Sequence, residues 1–163
     1  MIDIDVQRVC DLENTPNNEE FILWVETALQ HALYRKPNPE LTIRIVDEQE
    51  IRDLNKQYRD KDKSTNVLSF ASDLPEGIPI NLLGDLIVCP SIVEHEAQAQ
   101  QKTLTAHWCH MTVHGALHLL GFDHIDDNEA EEMESLEITI LKTLGFNNPY
   151  EAEYASKAKN KDN

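Results

Sequence analysis

The chain is poor in cysteine and has no long apolar run. Its 163 residues include three cysteines, Cys10, Cys89 and Cys109, an odd number whose spacings match no C-x-x-C pair. This pattern implies neither a disulfide framework nor a zinc ribbon, and it favours a reduced, cytoplasmic protein. The chain contains no run of about 18 consecutive apolar residues, and its first residues lack the basic and apolar regions of a secretion signal. The sequence therefore predicts neither a membrane segment nor export.

Basic residues are also scarce. Fourteen Lys and Arg stand against thirty Asp and Glu, for a formal charge of −16, so the protein as a whole should repel a polyanion. Nucleic-acid binding therefore requires positive charge to be local. Residues 52–63 hold five of the basic residues, which are Arg52, Lys56, Arg59, Lys61 and Lys63. A solvated helix face and loop is the simpler interpretation of this stretch, and a local phosphate site is the other.

Length and composition predict one domain with its own core. Hydrophobic residues make up 40% of the chain, which is enough for a core without disulfides or metal. We expect a catalytic domain over residues 1–150 and a short polar tail over 151–163. Four strands and about five helices, with the helices clustered late, favour a single α+β layer structure.

Hydrophobic periodicity locates these elements. Alternation predicts strands in "IDIDV", "LTIRIV", "NVLSFA" and "LLGDLIVC", and the loop between the last two is too long for a tight hairpin. Helical spacing predicts five helices, which begin near Glu19, Asp47, Pro90, Leu104 and Asn128. Asp47 with Glu50 three residues later has the pattern of a capping box.

Histidines concentrate in one segment. Five of the seven fall within eighteen residues: His107, His110, His114, His118 and His124. On a helix His114 and His118 lie one turn apart on one face, so both imidazoles can reach one ion at about 2.0–2.1 Å. Gly121 lets the chain reverse, which brings His124 close enough to complete the set. Three neutral nitrogens with an open fourth position describe a catalytic zinc site.

Other interpretations of these histidines remain open. His114 and His118 alone could be satisfied core residues with His124 in a loop, but the added G-x-x-H spacing favours the metal site. His107 and His110 share roughly the same helix face, and packing or support of the ligands suits them better than ligation. Cys109 is most simply a small buried hydrophobic residue.

The residue after the first histidine limits the chemistry. The spacing H-x-x-x-H-x-x-G-x-x-H also occurs in metzincin proteases, where that residue is the glutamate that activates zinc-bound water. Here it is Gly115, so peptide hydrolysis would need a base from elsewhere. Phosphodiester cleavage depends less on such a base, but it needs a cation to stabilise the negative charge that develops on phosphate. Arg59 suits this role, because a guanidinium binds two phosphate oxygens at once.

Three stretches together, "RDKDKSTNVLSF", "LLGDLIV" and "HGALHLLGFDH", resemble the bacterial YbeY family of single-strand-specific endoribonucleases and ribosomal RNA maturation factors. The resemblance runs through essentially the whole chain to "NPYEAEY". It implies an α+β fold with a mixed four-stranded sheet, and one zinc ion per chain held by His114, His118 and His124. It also implies a functional arginine at Arg59. Processing of the 3′ end of 16S ribosomal RNA, ribosome quality control and a cytoplasmic location are further implications.

Two residues depart from the family pattern R-G-K-D-K-P-T-N-V-L-S-F. Asp60 stands where glycine is usual, and Ser64 stands where proline is usual. The loss of a flexible glycine and a rigid proline changes the backbone preferences of the loop that carries Arg59. Asp60 also adds a negative charge beside the arginine.

The leading hypothesis is a zinc-dependent endoribonuclease acting on single-stranded RNA. Its partners would be ribosomal RNA and the ribosome or ribosomal proteins, with neither DNA nor a membrane. Arg59 and His114 would be catalytic, and Arg59, Lys61 and Lys63 would bind the substrate. A zinc peptidase or amidase with metzincin-like site geometry is one alternative. A non-catalytic ribosome-assembly factor with structural zinc is the other.

Overall fold

The computed structural model describes residues 2–10, 14–63, 65–75, 77–123 and 125–151. In these ranges the chain forms four strands: β1 (Asp3–Arg8), β2 (Pro39–Ile45), β3 (Val67–Ala71) and β4 (Asn81–Val88). It also forms five helices: α1 (Asn18–His31), α2 (Glu48–Arg59), α3 (Pro90–Ala99), α4 (Leu104–Leu119) and α5 (Asp127–Thr143). The predicted α+β fold is confirmed. Of the predicted polar tail over 151–163, residues 152–163 lie outside the described residues.

The strands form one mixed sheet in the order β1-β2-β4-β3. β2 runs parallel to both β1 and β4, whereas β3 runs antiparallel to β4 and occupies an edge. Parallel neighbours need a crossover connection, and α1 connects β1 to β2. Residues 72–80 connect β3 to β4 and form the loop that is too long for a tight hairpin. The mixed four-stranded sheet that the resemblance implies is confirmed.

Helices cover both faces of the sheet. Successive strand residues point to opposite faces, and the strands carry buried apolar residues on each face. Ile43 and Leu86 belong to the main core on one face, which α1 and α4 complete. On the other face Ile87 meets Ile51 of α2 in a smaller apolar cluster. Most of α4 is buried, including Trp108, and each large apolar side chain buried in this way contributes roughly 1.5–3 kcal/mol. The helix that carries the histidines is therefore firmly held.

Within the described residues, no helix is both long enough and apolar enough to cross a membrane.

The helix starts confirm most of the local capping pattern, with one correction. Asp47 caps α2 and accepts a hydrogen bond from Glu50 N at 2.9 Å. The second half of the predicted capping box is wrong, because the Glu50 carboxylate accepts from Arg44 Nε at 2.8 Å instead. A complete capping box occurs at α1, where Asn17 and Glu20 bond reciprocally.

Gly84 allows a close approach between β4, β3 and the end of α4. Its φ is +142°, and a Cβ at this position would lie 2.1 Å from the Phe70 carbonyl oxygen and 3.0 Å from the Leu119 side chain. Any other residue would push these elements apart. The glycine therefore keeps the C-terminal end of α4, where the predicted site lies, against the edge of the sheet.

Candidate active site

Helix α4 carries a row of four histidines: His107, His110, His114 and His118. Successive ring centroids are separated by 6.1, 6.3 and 4.5 Å. His107 and His110 are buried, whereas His114 and His118 are half-buried and line a cleft. The row thus has a packed half and an accessible half, and the two predicted ligands on this helix, His114 and His118, lie in the accessible half.

The rings of His114 and His118 converge. Their Nε2 atoms lie 3.1 Å apart, and the ring planes are nearly perpendicular at 83°. Two bonds of about 2.0–2.1 Å from one zinc ion span this separation when they meet at about 100°. Imidazole nitrogen is also a donor that suits zinc, copper, iron and nickel. The pair therefore fits two ligands of one such ion.

His124, the third predicted ligand, lies outside the described residues. Among the residues that are described, no three His, Cys, Asp or Glu side chains are grouped to hold a metal ion. The turn that precedes His124 is described: Gly121 has a φ of +99°, and Phe122 N donates to Leu117 O at 3.1 Å. This left-handed C-cap was predicted for Gly121, and it brings Asp123 to the wall of the cleft. Metal binding by the three histidines stays a prediction.

A buried carboxylate from α5 contacts the histidine row. The side chain of Glu137 is 0% exposed, and it accepts hydrogen bonds from His114 Nδ1 at 2.5 Å and from His110 Nε2 at 3.2 Å. The hydroxyl of Tyr150 donates to the same carboxylate. Burial by itself raises the pKa of Glu137, but the hydrogen bonds from His110 and His114 outweigh burial and lower this pKa to about 2. The carboxylate is therefore ionised at neutral pH.

The sequence interpretation missed Glu137, although one feature of α5 marks it. Glu137 lies four residues after Met133 and three before Ile140, and both of these are buried. It is therefore an acid on the apolar face of the helix. Because an unpaired buried charge is costly, such a residue predicts a buried partner.

Arg59 reaches the same cleft from the end of α2. Its Nη2 donates to the Ser69 carbonyl on the edge strand β3 at 2.5 Å, and its guanidinium carbon lies 5.1 Å from the centre of the Phe70 ring. Ser69 Oγ donates to the Gly115 carbonyl of α4 at 3.3 Å. Strand β3 therefore connects the arginine with the helix that bears His114.

The loop after Arg59 brings two lysines to the cleft. Asn55, only 2% exposed, donates from Nδ2 to the Lys63 carbonyl at 2.9 Å, and its own carbonyl accepts from Lys61 N at 3.2 Å. A buried amide, which the sequence interpretation did not single out, thus shapes this exposed loop. The cleft has a volume of about 750 Å³ and is lined by the predicted site residues Arg59, Lys61, Lys63, His114 and His118. The structure brings these five together.

Asp60, one of the two departures from the family pattern, ends α2 in a left-handed conformation. Its φ is +56° and its ψ is +34°, a region that favours glycine because it has no Cβ. The aspartate therefore adopts the conformation for which glycine is the usual residue. Ser64, the other departure, lies outside the described residues.

Replacing Asp60 with glycine should stabilise the protein. The change removes the left-handed strain, and the greater freedom of glycine in the unfolded chain offsets part of the gain. We expect the free energy of unfolding to rise by about 0.5–1 kcal/mol in urea denaturation. Asp53→Gly is the matched control, because Asp53 is an exposed residue inside α2 and glycine there should lower stability. A loss of stability in both variants would contradict the prediction.

Gly115, at the position of the metzincin glutamate, faces the sheet. The residue is buried, and a Cβ there would lie 2.8 Å from the side chain of Leu86 on β4 and 3.4 Å from Ser69 Oγ. A side chain at this position would therefore enter the core and not the cleft. The missing glutamate has a packing reason, because α4 lies too close to β4 to accommodate it.

His107 belongs to a polar network at the buried end of the row. Its Nε2 lies 3.2 Å from Glu96 Oε1, and Asn66 Nδ2 donates to both oxygens of that carboxylate at 3.1 and 3.3 Å. The network ties the start of β3 to α3 and α4. Burial lowers the pKa of His107, and the hydrogen bond to Glu96 opposes burial only in part.

This lowered pKa predicts acid sensitivity. Because the folded state resists protonation of His107, the unfolded chain binds more protons as the pH falls below about 6.5. Stability should therefore be full above that pH and fall as the pH drops toward the lower folded pKa, by up to about 1.4 kcal/mol per pH unit. His107→Gln should show a shallower fall in urea denaturation of metal-free protein between about pH 7 and 5. Equal slopes for the two proteins would contradict this explanation.

The fold is α+β, and its cleft combines two converging imidazoles with a guanidinium. A protein-family model described as endoribonuclease YbeY matches residues 8–145. The endoribonuclease YbeY of Colwellia psychrerythraea is 57% identical over 149 residues, which are 90% of this chain and 96% of the relative. The chain therefore belongs to the YbeY endoribonuclease family, as its sequence motifs predict.

A solved structure agrees with this fold. The solution structure of TM1509 from Thermotoga maritima matches with a TM-score of 0.56 and 24% identity, and the match covers 100% of this chain and 96% of that one. At this identity the likeness supports the fold alone.

Proposed function

We propose that the protein is a zinc-dependent endoribonuclease that cleaves single-stranded RNA and acts on the 3′ end of 16S ribosomal RNA precursors in the cytoplasm. Ribosome quality control would be part of the same role. The observation that carries the proposal is the convergence of His114 and His118 in the same cleft as Arg59. Family membership supports the reaction.

His114, His118 and His124 would hold the metal. Two of these residues present Nε2 atoms 3.1 Å apart, and the third follows Asp123, which lines the cleft. Bound there, zinc would polarise a phosphate oxygen and lower the pKa of a coordinated water. The half-buried histidines open into the cleft, which suits a catalytic site better than the closed site of a structural zinc.

Arg59 would bind the scissile phosphate. A guanidinium has five N–H donors, and the Ser69 carbonyl accepts from one of its nitrogens at 2.5 Å. This contact, with the Phe70 ring beside it, holds the planar group in place and lowers the entropy lost on binding. The arginine would then stabilise the negative charge that develops on phosphate as the bond to the leaving oxygen breaks.

The shape and charge of the cleft favour a single strand. Because His114 and His118 are half-buried, a phosphate must enter the cleft to reach them. A flexible strand can bend to do so, whereas a duplex is stiff. The exposed Lys61 and Lys63 would contact neighbouring phosphates.

The overall charge supports a role for a protein partner. With a formal charge of −16, the surface outside the cleft should repel RNA, so tight binding to naked RNA of any sequence is not expected. The ribosome or a ribosomal protein would instead bring the substrate to the cleft.

The peptidase alternative receives less support from the structure. Gly115 faces the sheet and not the cleft, so the metzincin base has no counterpart at this position. A peptide substrate could pair with the open edge of β3, but Arg59 binds the Ser69 carbonyl of that strand.

Chelation followed by return of zinc tests the proposal. Treated protein should stop cleaving a single-stranded RNA, and one equivalent of zinc should restore cleavage, while an RNA duplex and unstructured casein stay intact. Circular dichroism of the chelated protein should remain that of a folded chain. Cleavage that survives chelation would contradict the proposal, casein hydrolysis would support the peptidase, and unfolding without zinc would support the assembly factor with structural zinc.

A further inference from the structure

We propose that Glu137 is the positioning residue of the candidate metal site: its carboxylate fixes the tautomer and the orientation of His114, and Tyr150 and His110 hold that carboxylate in place. The inference rests on the proposed function, because it concerns the ion that His114 would bind. Glu137 itself would touch neither the ion nor the RNA.

A short hydrogen bond joins Glu137 to His114. A neutral imidazole carries one proton, on either Nδ1 or Nε2, and only the other nitrogen can bind a metal. Glu137 Oε1 lies 2.5 Å from Nδ1, and a hydrogen bond to a carboxylate oxygen at this distance places the imidazole proton on Nδ1. This leaves the lone pair on Nε2, the atom that faces His118.

Glu137 is itself held by several groups. His110 Nε2 lies 3.2 Å from Oε2, and the Tyr150 hydroxyl donates to the same oxygen. His110 Nδ1 is buried and, among the described residues, has no hydrogen-bond partner. Because an unsatisfied buried N–H is costly, the proton of this ring belongs on Nε2, where it donates to Glu137. The carboxylate therefore accepts hydrogen bonds from three donors, which are His114 Nδ1, His110 Nε2 and the Tyr150 hydroxyl, and together they fix its orientation.

Glu137 places a carboxylate in an otherwise apolar part of the core. The side chain of Glu137 is 0% exposed, and a buried carboxylate is costly even when it is hydrogen-bonded, so apolar residues of similar volume would stabilise the fold at least as well. Met133 and Ile140, its neighbours on this face of α5, show that the face otherwise carries apolar side chains. We explain the carboxylate at this position by its effect on His114: carboxylate partners orient metal-binding histidines and raise their basicity.

Glu137→Gln tests the proposal, with Glu131→Gln as the matched control. The amide has nearly the shape of the carboxylate, but its NH₂ can donate to Nδ1 and so favour the wrong tautomer. Zinc affinity, measured by competition with a chromophoric chelator, should fall by about 10–100-fold. Glu131 is an exposed acid on the same helix, and its variant should bind zinc as the wild type does.

A second readout does not require metal. Long-range ¹H–¹⁵N NMR spectra of metal-free wild type should show His114 with its proton on Nδ1, and Glu137→Gln should show a mixture or the Nε2–H form. A merely structural role would change the melting temperature but neither the tautomer nor the zinc affinity of the folded variant. A folded Glu137→Gln protein with unchanged affinity and an unchanged tautomer would overturn the proposal.

Should Glu137→Gln fail to fold, Tyr150→Phe decides: it removes one donor to the carboxylate, and a smaller loss of zinc affinity supports the proposal while no change in affinity or tautomer overturns it. A wild type that binds no zinc would contradict the proposed function. The tautomer of His114 in metal-free protein would then decide the role of Glu137 independently.

Discussion

Replacing Arg59 with alanine should lower the rate of RNA cleavage by about 10²- to 10³-fold, the effect of removing one donor that stabilises charge in a transition state. The guanidinium projects from the end of α2 into the cleft, and it is exposed, so its loss should leave the fold intact. Arg59→Lys keeps the charge but loses the planar fork and the stacking on Phe70. We therefore expect it to recover only part of the rate.

Arg52→Ala is the control for this prediction. Arg52 lies on the same helix and forms an exposed ion pair with Asp62 at 2.8 Å, a contact that water and salt screen so that its loss should hardly change stability. It does not line the cleft, so single-turnover cleavage should be unchanged. Wild-type rates for Arg59→Ala, or an equal loss in both variants, would contradict the role assigned to Arg59.

Replacing Gly115 with glutamate should unfold or severely destabilise the protein, and it should not create a peptidase. A Cβ at 115 already lies 2.8 Å from Leu86, so the larger side chain would be forced into the core between α4 and β4. Overpacking costs about 1–3 kcal/mol, and a buried carboxylate without a partner adds several more. We expect urea denaturation to show a loss of more than about 3 kcal/mol.

Gly115→Ala separates the steric effect from the effect of charge. The nearest atom is a terminal methyl of Leu86, which can move, so alanine should cost only about 1–3 kcal/mol. It should leave a folded protein that still cleaves RNA. A folded Gly115→Glu variant that hydrolyses casein would show that the residue faces the cleft, and it would contradict the packing account.

The parts of the fold and site that depend on local sequence were predictable. Strand alternation and helix spacing depend on the residues of each element alone. The same is true of the turn at Gly121 and of the one-turn separation of His114 and His118. The exception is Glu50, whose carboxylate binds Arg44 and not the helix start. A tertiary contact there overrode a local pattern.

The contacts that complete the site join distant segments and were not predictable in the same way. Glu137 is 23 residues from His114, and α5 contains several other acids, so composition did not distinguish it. Asn55 is an ordinary polar residue in sequence, yet burial makes it the support of the Lys61–Lys63 loop. The family pattern pointed to Arg59, but only the structure reveals its contact with Ser69.

A small-subunit ribosomal RNA precursor extended at its 3′ end is the substrate that tests metal-dependent RNA cleavage by this protein most directly. The wild type and a folded His114→Ala variant would be incubated with this RNA, with and without chelator, and the new RNA ends mapped. We predict cleavage within the single-stranded extension by the wild type, and its loss both in the variant and with chelator. Equal cleavage by the two proteins, or cleavage that the chelator leaves unchanged, would contradict a metal-dependent endoribonuclease.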